Sequence, residues 1–144
     1  NLYSKPVNKF VAGFIGSPAM NFIKGKIVGG STSKFISDGN SLSLDIPLSQ
    51  FDSLKAYQNK SIYLGIRPEN ISDTPIPNNS TEAEVKIDVV EPMGNEIFLY
   101  FQVDNEQFIC RKTTSDLPAP GSLKKLYFDL SKLHFFDSET EQAI

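Results

Sequence analysis

A chain of 144 residues, 40% hydrophobic and 22% charged, holds one domain of ordinary soluble composition, burying roughly 70% of its unfolded surface without a metal or disulfide staple. Its net charge of −3 and its scattered basic residues, densest only at Arg111-Lys112 and Lys124-Lys125, exclude the clustered cationic surface that nucleic acid requires. The single cysteine, Cys110, excludes an intramolecular disulfide and fits a reducing compartment, and no apolar run approaches the roughly 18 residues of a membrane-spanning helix.

The first predicted element is a helix. Val7, Phe10, Val11, Phe14 and Ile15 fall on one stripe at the helical period, Pro6 suits a first turn, and Gly16 followed by Pro18 ends the element. A stripe with nothing ahead of it to pack against is expected to dock on the domain that follows or on one that precedes it. The opening Asn1, with no basic and apolar leader after it, leads us to expect a piece of a longer protein.

From Phe22 the apolar period changes to two. Strands are expected over 22–28 and 34–36 with a turn at Gly29-Gly30-Ser31, then a hairpin at Asp38-Gly39-Asn40, where Gly and Asn accept the positive φ of tight turns. Leu42, Leu44 and Ile46 alternate with Ser41, Ser43 and Asp45, and Pro47 closes that strand. A short internal helix is read over 49–57, with Phe51 and Leu54 inward. A strand over 61–67 is stopped by Pro68, which cannot donate to a ladder.

Residues 72–82 form the one long polar, proline-broken loop. Beyond it the pattern is a β-meander. Val85, Ile87 and Val89 alternate with Lys86 and Asp88, and Pro92-Met93-Gly94-Asn95 turns the chain. Ile97, Leu99, Phe101 and Val103 line one face of the next strand, and further strands run over 107–111, 123–130 and 133–136. Short strands at intervals of roughly ten residues predict an all-β fold, an OB-type small barrel with Greek-key order rather than a sandwich. The expected organisation is a linker or docking helix over 1–21 and an OB-type domain over 22–144.

Catalytic chemistry is hard to place on these residues. No G-x-x-x-x-G-K-[ST] phosphate cradle occurs, so no nucleotide or other cofactor is assigned to this chain. One Cys and one His, 24 positions apart, cannot make a zinc site of the usual spacing, and Asp137, Glu139 and Glu141 read as a solvated acidic tail. Cys110 lies in an apolar strand, where a thiol acts as a small hydrophobe, and His134 reads as a hydrogen-bonded strand residue or an interface residue. Phe98, Tyr100 and Phe108 are read as aromatic core rather than as a stacking platform for single strands, because acidic residues surround them.

Four segments, in order, resemble one family. The opening Leu2-Tyr3-x-x-Pro6-x-Asn8-x-Phe10-Val11-Ala12-Gly13-Phe14-Ile15-Gly16-Ser17-Pro18-x-Met20-Asn21-Phe22 is similar to the stretch joining the two domains of ATP-binding subunits in carbohydrate importers of the maltose and glycerol-phosphate type. Gly65-Ile66-Arg67-Pro68-Glu69 resembles that family's strand-end motif, and Val90-Glu91-Pro92-Met93-Gly94-Asn95-Glu96 its hairpin. His134-Phe135-Phe136-Asp137 through Thr140 resembles its closing signature.

The resemblance implies a C-terminal regulatory and dimerisation domain of an ABC-type importer subunit, without catalysis of its own. ATP and Mg²⁺ would belong to a missing N-terminal ATPase domain. The implied partners are that domain, a second copy, the membrane subunits and a regulatory protein, at the cytoplasmic face of the cell membrane. Interface candidates are Phe10, Phe14, Ile15, Arg67, Glu69, Asn95, His134 and Phe136, with Arg67-Pro68-Glu69 also readable as a plain strand terminator. The alternative function is a stand-alone OB-type binder of an oligonucleotide or small anion.

Overall fold

The computed structural model describes residues 8–9, 19–29, 33–113 and 117–144. The expected helix, with Val7, Phe10, Val11, Phe14 and Ile15, lies outside the described residues, as does most of the Gly29-Gly30-Ser31 turn.

Among the described residues, ten strands form two five-stranded antiparallel sheets. The first has the order β10-β4-β1-β2-β3, built from β1 (Asn21–Gly29), β2 (Ser33–Ser37), β3 (Ser43–Asp45), β4 (Ser61–Ile66) and β10 (His134–Asp137). The second has the order β5-β9-β6-β7-β8, built from β5 (Ile71–Ser72), β6 (Ser80–Met93), β7 (Glu96–Val103), β8 (Glu106–Lys112) and β9 (Leu123–Asp129). In each sheet three consecutive strands form a meander and a fourth returns beside the first, β4 next to β1 and β9 next to β6. That is the spatial order of a Greek key, present twice. The fifth strands are exchanged. β5 follows β4 through a 3₁₀ turn at Pro68–Asn70 yet pairs with β9, and β10 follows β9 through a 3₁₀ turn at Leu130–Lys132 yet pairs with β4.

The period-two reading carries most of this architecture. Ile23, Ile27, Phe35, Leu44, Leu64 and Phe101 are among the buried residues of a single core cluster drawn from both sheets. The hairpin at 38–40 forms with Asn40 at φ 64, and Asp104-Asn105 joins β7 to β8 with both φ values positive, the geometry that matches strand twist. The short helix is α1 (Phe51–Leu54), flanked by 3₁₀ turns at Leu48–Gln50 and Lys55–Tyr57. Leu54 is buried and Phe51 packs against the core.

Five expectations need correction. Of the three residues read as aromatic core, Phe108 is fully buried, whereas Phe98 and Tyr100 are half-buried on the outward face of β7 and lie outside the core cluster. The long loop is shorter than 72–82, because Ser72 pairs in β5 and Ser80 already pairs with Asp129 in β6. Asn21, placed in the linker, is the first residue of β1. Val89 does not follow Val85 and Ile87 inward. A register shift between Ile87 and Val89 turns it out, leaving it 52% exposed while Val90 packs on the core. The acidic tail is folded: Asp137 accepts from the N–H groups of Glu139 (2.8 Å) and Thr140 (2.9 Å), and Ile144 N–H donates to Phe135 O at 3.0 Å.

Side-chain polar contacts join the elements where ladders end. Asn21, 5% exposed on β1, donates from Nδ2 to Ile109 O (3.0 Å) and accepts at Oδ1 from Ile109 N–H (2.8 Å), which ties the outer edge of β8 to the first sheet. Asp104, in the β7–β8 turn, accepts from Gly39 N–H (2.7 Å), Ser41 N–H (3.2 Å) and the Ser41 hydroxyl (2.5 Å). A Cβ on Gly39 would stand 2.4 Å from Asp104 Oδ1, so a side chain there would push that carboxylate out of its bonds to the hairpin. The Cys110 thiol donates to Ile71 O at 3.0 Å, linking β8 to β5, so the second sheet curls until its two edge strands meet.

Asn21→Ala removes both bonds and leaves a part-buried donor and acceptor of Ile109 unmet. We expect a loss of about 2 kcal/mol in urea denaturation, with Asn21→Asp intermediate because it keeps the acceptor alone.

Candidate functional site

The strand-end motif and the β6–β7 hairpin, far apart in sequence, converge on one cavity of about 510 Å³. Pro68 begins the 3₁₀ turn after β4 and sets Glu69 in its first turn. Gly94, at φ 71, turns the hairpin so that Asn95 and Glu96 reach the cavity from the other side. Arg111 of β8 lies between them, its Nε 3.0 Å from Glu96 Oε2 and its Nη2 3.9 Å from Glu69 Oε1. Lys112 pairs with Asp73, both nearly buried, and the hydroxyls of Ser72, Thr74 and Thr113 complete the polar wall.

The cavity brings together two of the residues singled out from sequence, Glu69, half-buried, and Asn95, exposed. Arg67 and His134 form a second locality, where β4 ends and β10 begins. Burial lowers the pKa of both. The His134 value falls from 6.5 to about 4, first through desolvation and then through the Arg67 and Lys132 charges.

Phe136 is not a surface residue. It is fully buried, meets Phe22 edge-on at 5.9 Å between ring centroids, and packs beside Met20 and Tyr63. A Cβ on Gly65 would lie 2.5 Å from Met20 sulfur and 3.1 Å from the Phe136 ring, so the glycine of the strand-end motif makes room for this cluster. Phe10, Phe14 and Ile15 lie outside the described residues. Arg111, Asp73 and Lys112 were missed as site residues, although Arg111-Lys112 stood out as one of two basic pairs.

Chemically, the cavity offers charges that are already compensated. Arg111 meets two carboxylates and Lys112 another, so the site can position a polar partner without presenting a strong net charge. The Cys110 thiol is pushed up to about 12, first by burial and then by Asp73, and is protonated at neutral pH. Its hydrogen bond goes to Ile71 O and not to His134, so the two do not form a nucleophile and base pair. Among the described residues no group of three or more His, Cys, Asp or Glu side chains is arranged to hold a metal ion.

Curled sheets built on Greek keys, with polar residues gathered at strand ends, define an OB-type β-barrel domain. A solved structure of the molybdate-binding protein ModG shares the fold, with a TM-score of 0.57 at 10% identity over 80% of this chain and 94% of that one. Residues 16–71 match the MalK OB fold domain and residues 64–136 the TOBE domain, and the chain belongs to this MalK-type OB and TOBE family. It is 43% identical to the oligosaccharides import ATP-binding protein MsmX of Bacillus subtilis, over all of this chain and 40% of MsmX. It is 39% identical to the multiple sugar-binding transport ATP-binding protein MsmK of Streptococcus mutans, over 99% of this chain and 38% of MsmK. The chain thus spans about 40% of the length of these curated relatives.

Two measurements test the electrostatics. Asp73→Ala removes the carboxylate beside the Lys112 ammonium, whose side chain is 4% exposed. It should cost about 3 kcal/mol in chemical denaturation, with part of the loss regained in Asp73→Ala/Lys112→Met. For His134 the folded pKa lies below the ordinary value, so the unfolded chain takes up the proton first. Its stabilising contribution is complete above pH 6.5 and is lost as pH falls toward 4. Denaturation across that window should therefore show wild type losing stability faster than His134→Gln.

Proposed function

We propose that this chain is the C-terminal regulatory and dimerisation domain of the ATP-binding subunit of an ABC-type carbohydrate importer, without a catalytic centre of its own. The observation that carries the reading is the end-to-end match to sugar-import ATP-binding proteins of which it spans only about 40%. The remaining length of such a parent would hold the nucleotide and Mg²⁺, and no residue of this chain is assigned to them. The full-length protein would work at the cytoplasmic face of the membrane, with a second copy, the membrane subunits and a regulatory protein as partners.

The cavity between the 3₁₀ turn at Pro68–Asn70 and the β6–β7 hairpin supports a docking role. Its polar groups stand on strand ends and tight turns, which fix their geometry, and its charges are balanced so that a protein surface can cover them at small electrostatic cost. The same balance disfavours an oligonucleotide or anion binder, because Arg111 and Lys112 are both committed to carboxylates.

In the full-length parent, Arg111→Ala and Glu69→Ala should each leave ATP hydrolysis near its normal rate while lowering coupled sugar uptake about tenfold, the scale of a modest coupling energy between sites. A lower melting temperature with normal coupled uptake would remove the docking role. Tight, salt-sensitive retardation of single-stranded oligonucleotides by the chain would favour the alternative.

A further inference from the structure

We propose that the outer face of the β6–β7–β8 sheet carries a receptor for an arginine side chain of a partner protein, set in the recess between Asp88, Glu91 and Tyr100. The inference stands on the geometry of that face and is independent of the importer reading.

The register shift between Ile87 and Val89 inverts the outer half of β6. Val89, Glu91 and Met93 then project away from the core, with Val89 and Met93 52% and 49% exposed. Tyr100 is directly opposite Val89, and Phe98 opposite Glu91. A recess of about 250 Å³ opens here, lined by Asp88, Val89, Glu91, Tyr100, Gln102 and Gln107, with two carboxylates and no basic residue. The Tyr100 hydroxyl donates to Glu91 Oε1 at 2.7 Å and fixes that carboxylate beside the ring.

Size and chemistry together select the occupant. The volume falls below the roughly 300–1,000 Å³ of whole-ligand pockets and suits one long side chain. An aromatic ring flanked by carboxylates and amide carbonyls matches a guanidinium, which stacks on the ring and spreads five donors in one plane. An ammonium is more strongly hydrated and presents no such plane. The only arginine on these three strands, Arg111, is engaged with Glu96 and Glu69, so the chain's own strands do not supply the cation. Val89 on the wall of the recess, and Met93 farther along the same outward face of β6, give apolar neighbours of that arginine a surface to cover, which assigns it to a protein rather than to the free amino acid.

The test is an amide chemical-shift titration of the isotope-labelled chain with Nα-acetyl-arginine-amide, in parallel with its lysine and citrulline analogues. Saturable shifts confined to the neighbourhood of Val89, Glu91, Tyr100 and Gln107 are expected, weaker with lysine, absent with the neutral citrulline, and reduced by added salt. Asp88→Asn and Glu91→Gln, both at exposed positions, should each weaken binding about fivefold with the fold intact. Absent or scattered shifts, equal response to citrulline, or indifference to both substitutions would overturn the receptor. A capped leucine-arginine-leucine peptide should bind more tightly than the single residue, and equal affinity would overturn the assignment to a protein.

Discussion

The pairing of the Asn21 side chain with the backbone of Ile109 is the constraint on which the arrangement of the two sheets turns. β8 is an edge strand, and an unpaired edge is both a loss of hydrogen bonds and a template for unwanted pairing. A carboxamide carries a donor and an acceptor in one plane, so a single Asn reproduces what a neighbouring strand would offer that residue. Its partner lies 88 positions away, and the bond therefore holds the first strand of one Greek key against the last meander strand of the other. With β8 held there, Arg111 and Lys112 at its end stand where they meet Glu69, Glu96 and Asp73.

The exchange of fifth strands makes the halves mutually dependent. Each four-stranded key leaves its returning strand, β4 or β9, with an open edge, and the strand that covers it belongs by sequence to the other half. The two family matches, 16–71 and 64–136, overlap at 64–71, the segment that leaves β4 and crosses to β5. Division of the chain at that overlap would uncover an edge in each sheet and split one shared core. The halves are best regarded as a single cooperative unit in spite of their repeated topology.

Strand positions were legible because alternation at period two reports which face meets the core, and turns were legible because Gly, Asn and Pro each have a local backbone reason to be there. What escaped depends on residues distant in sequence. Asn21 looks like a linker residue until Ile109 is beside it, and the β5 pairing at 71–72 is invisible because two residues carry no period. The bulge in β6 escaped for a related reason. Val85, Ile87, Val89 and Val90 allow either a continuous alternation or a one-residue slip, and only pairing with β9 on one side and β7 on the other decides it. Glu69 and Asn95 were singled out from the family resemblance, whereas Arg111, which joins their two segments, has no local pattern that marks it.

The bulge also explains how one strand serves two purposes. Over Ser80 to Lys86, β6 pairs with β9 and contributes Val85 to the core, and over Ile87 to Met93 it pairs with β7. An unbroken alternation would carry Val89 inward and Val90 outward along the whole strand. The extra residue reverses that order at the point where the strand changes partners, so Val90 takes over the core contact. Val89, Glu91 and Met93 are left facing outward as a consequence. An apolar and acidic stripe on the surface is thus tied to a core contact on the opposite face, and restoring regular alternation would remove both together.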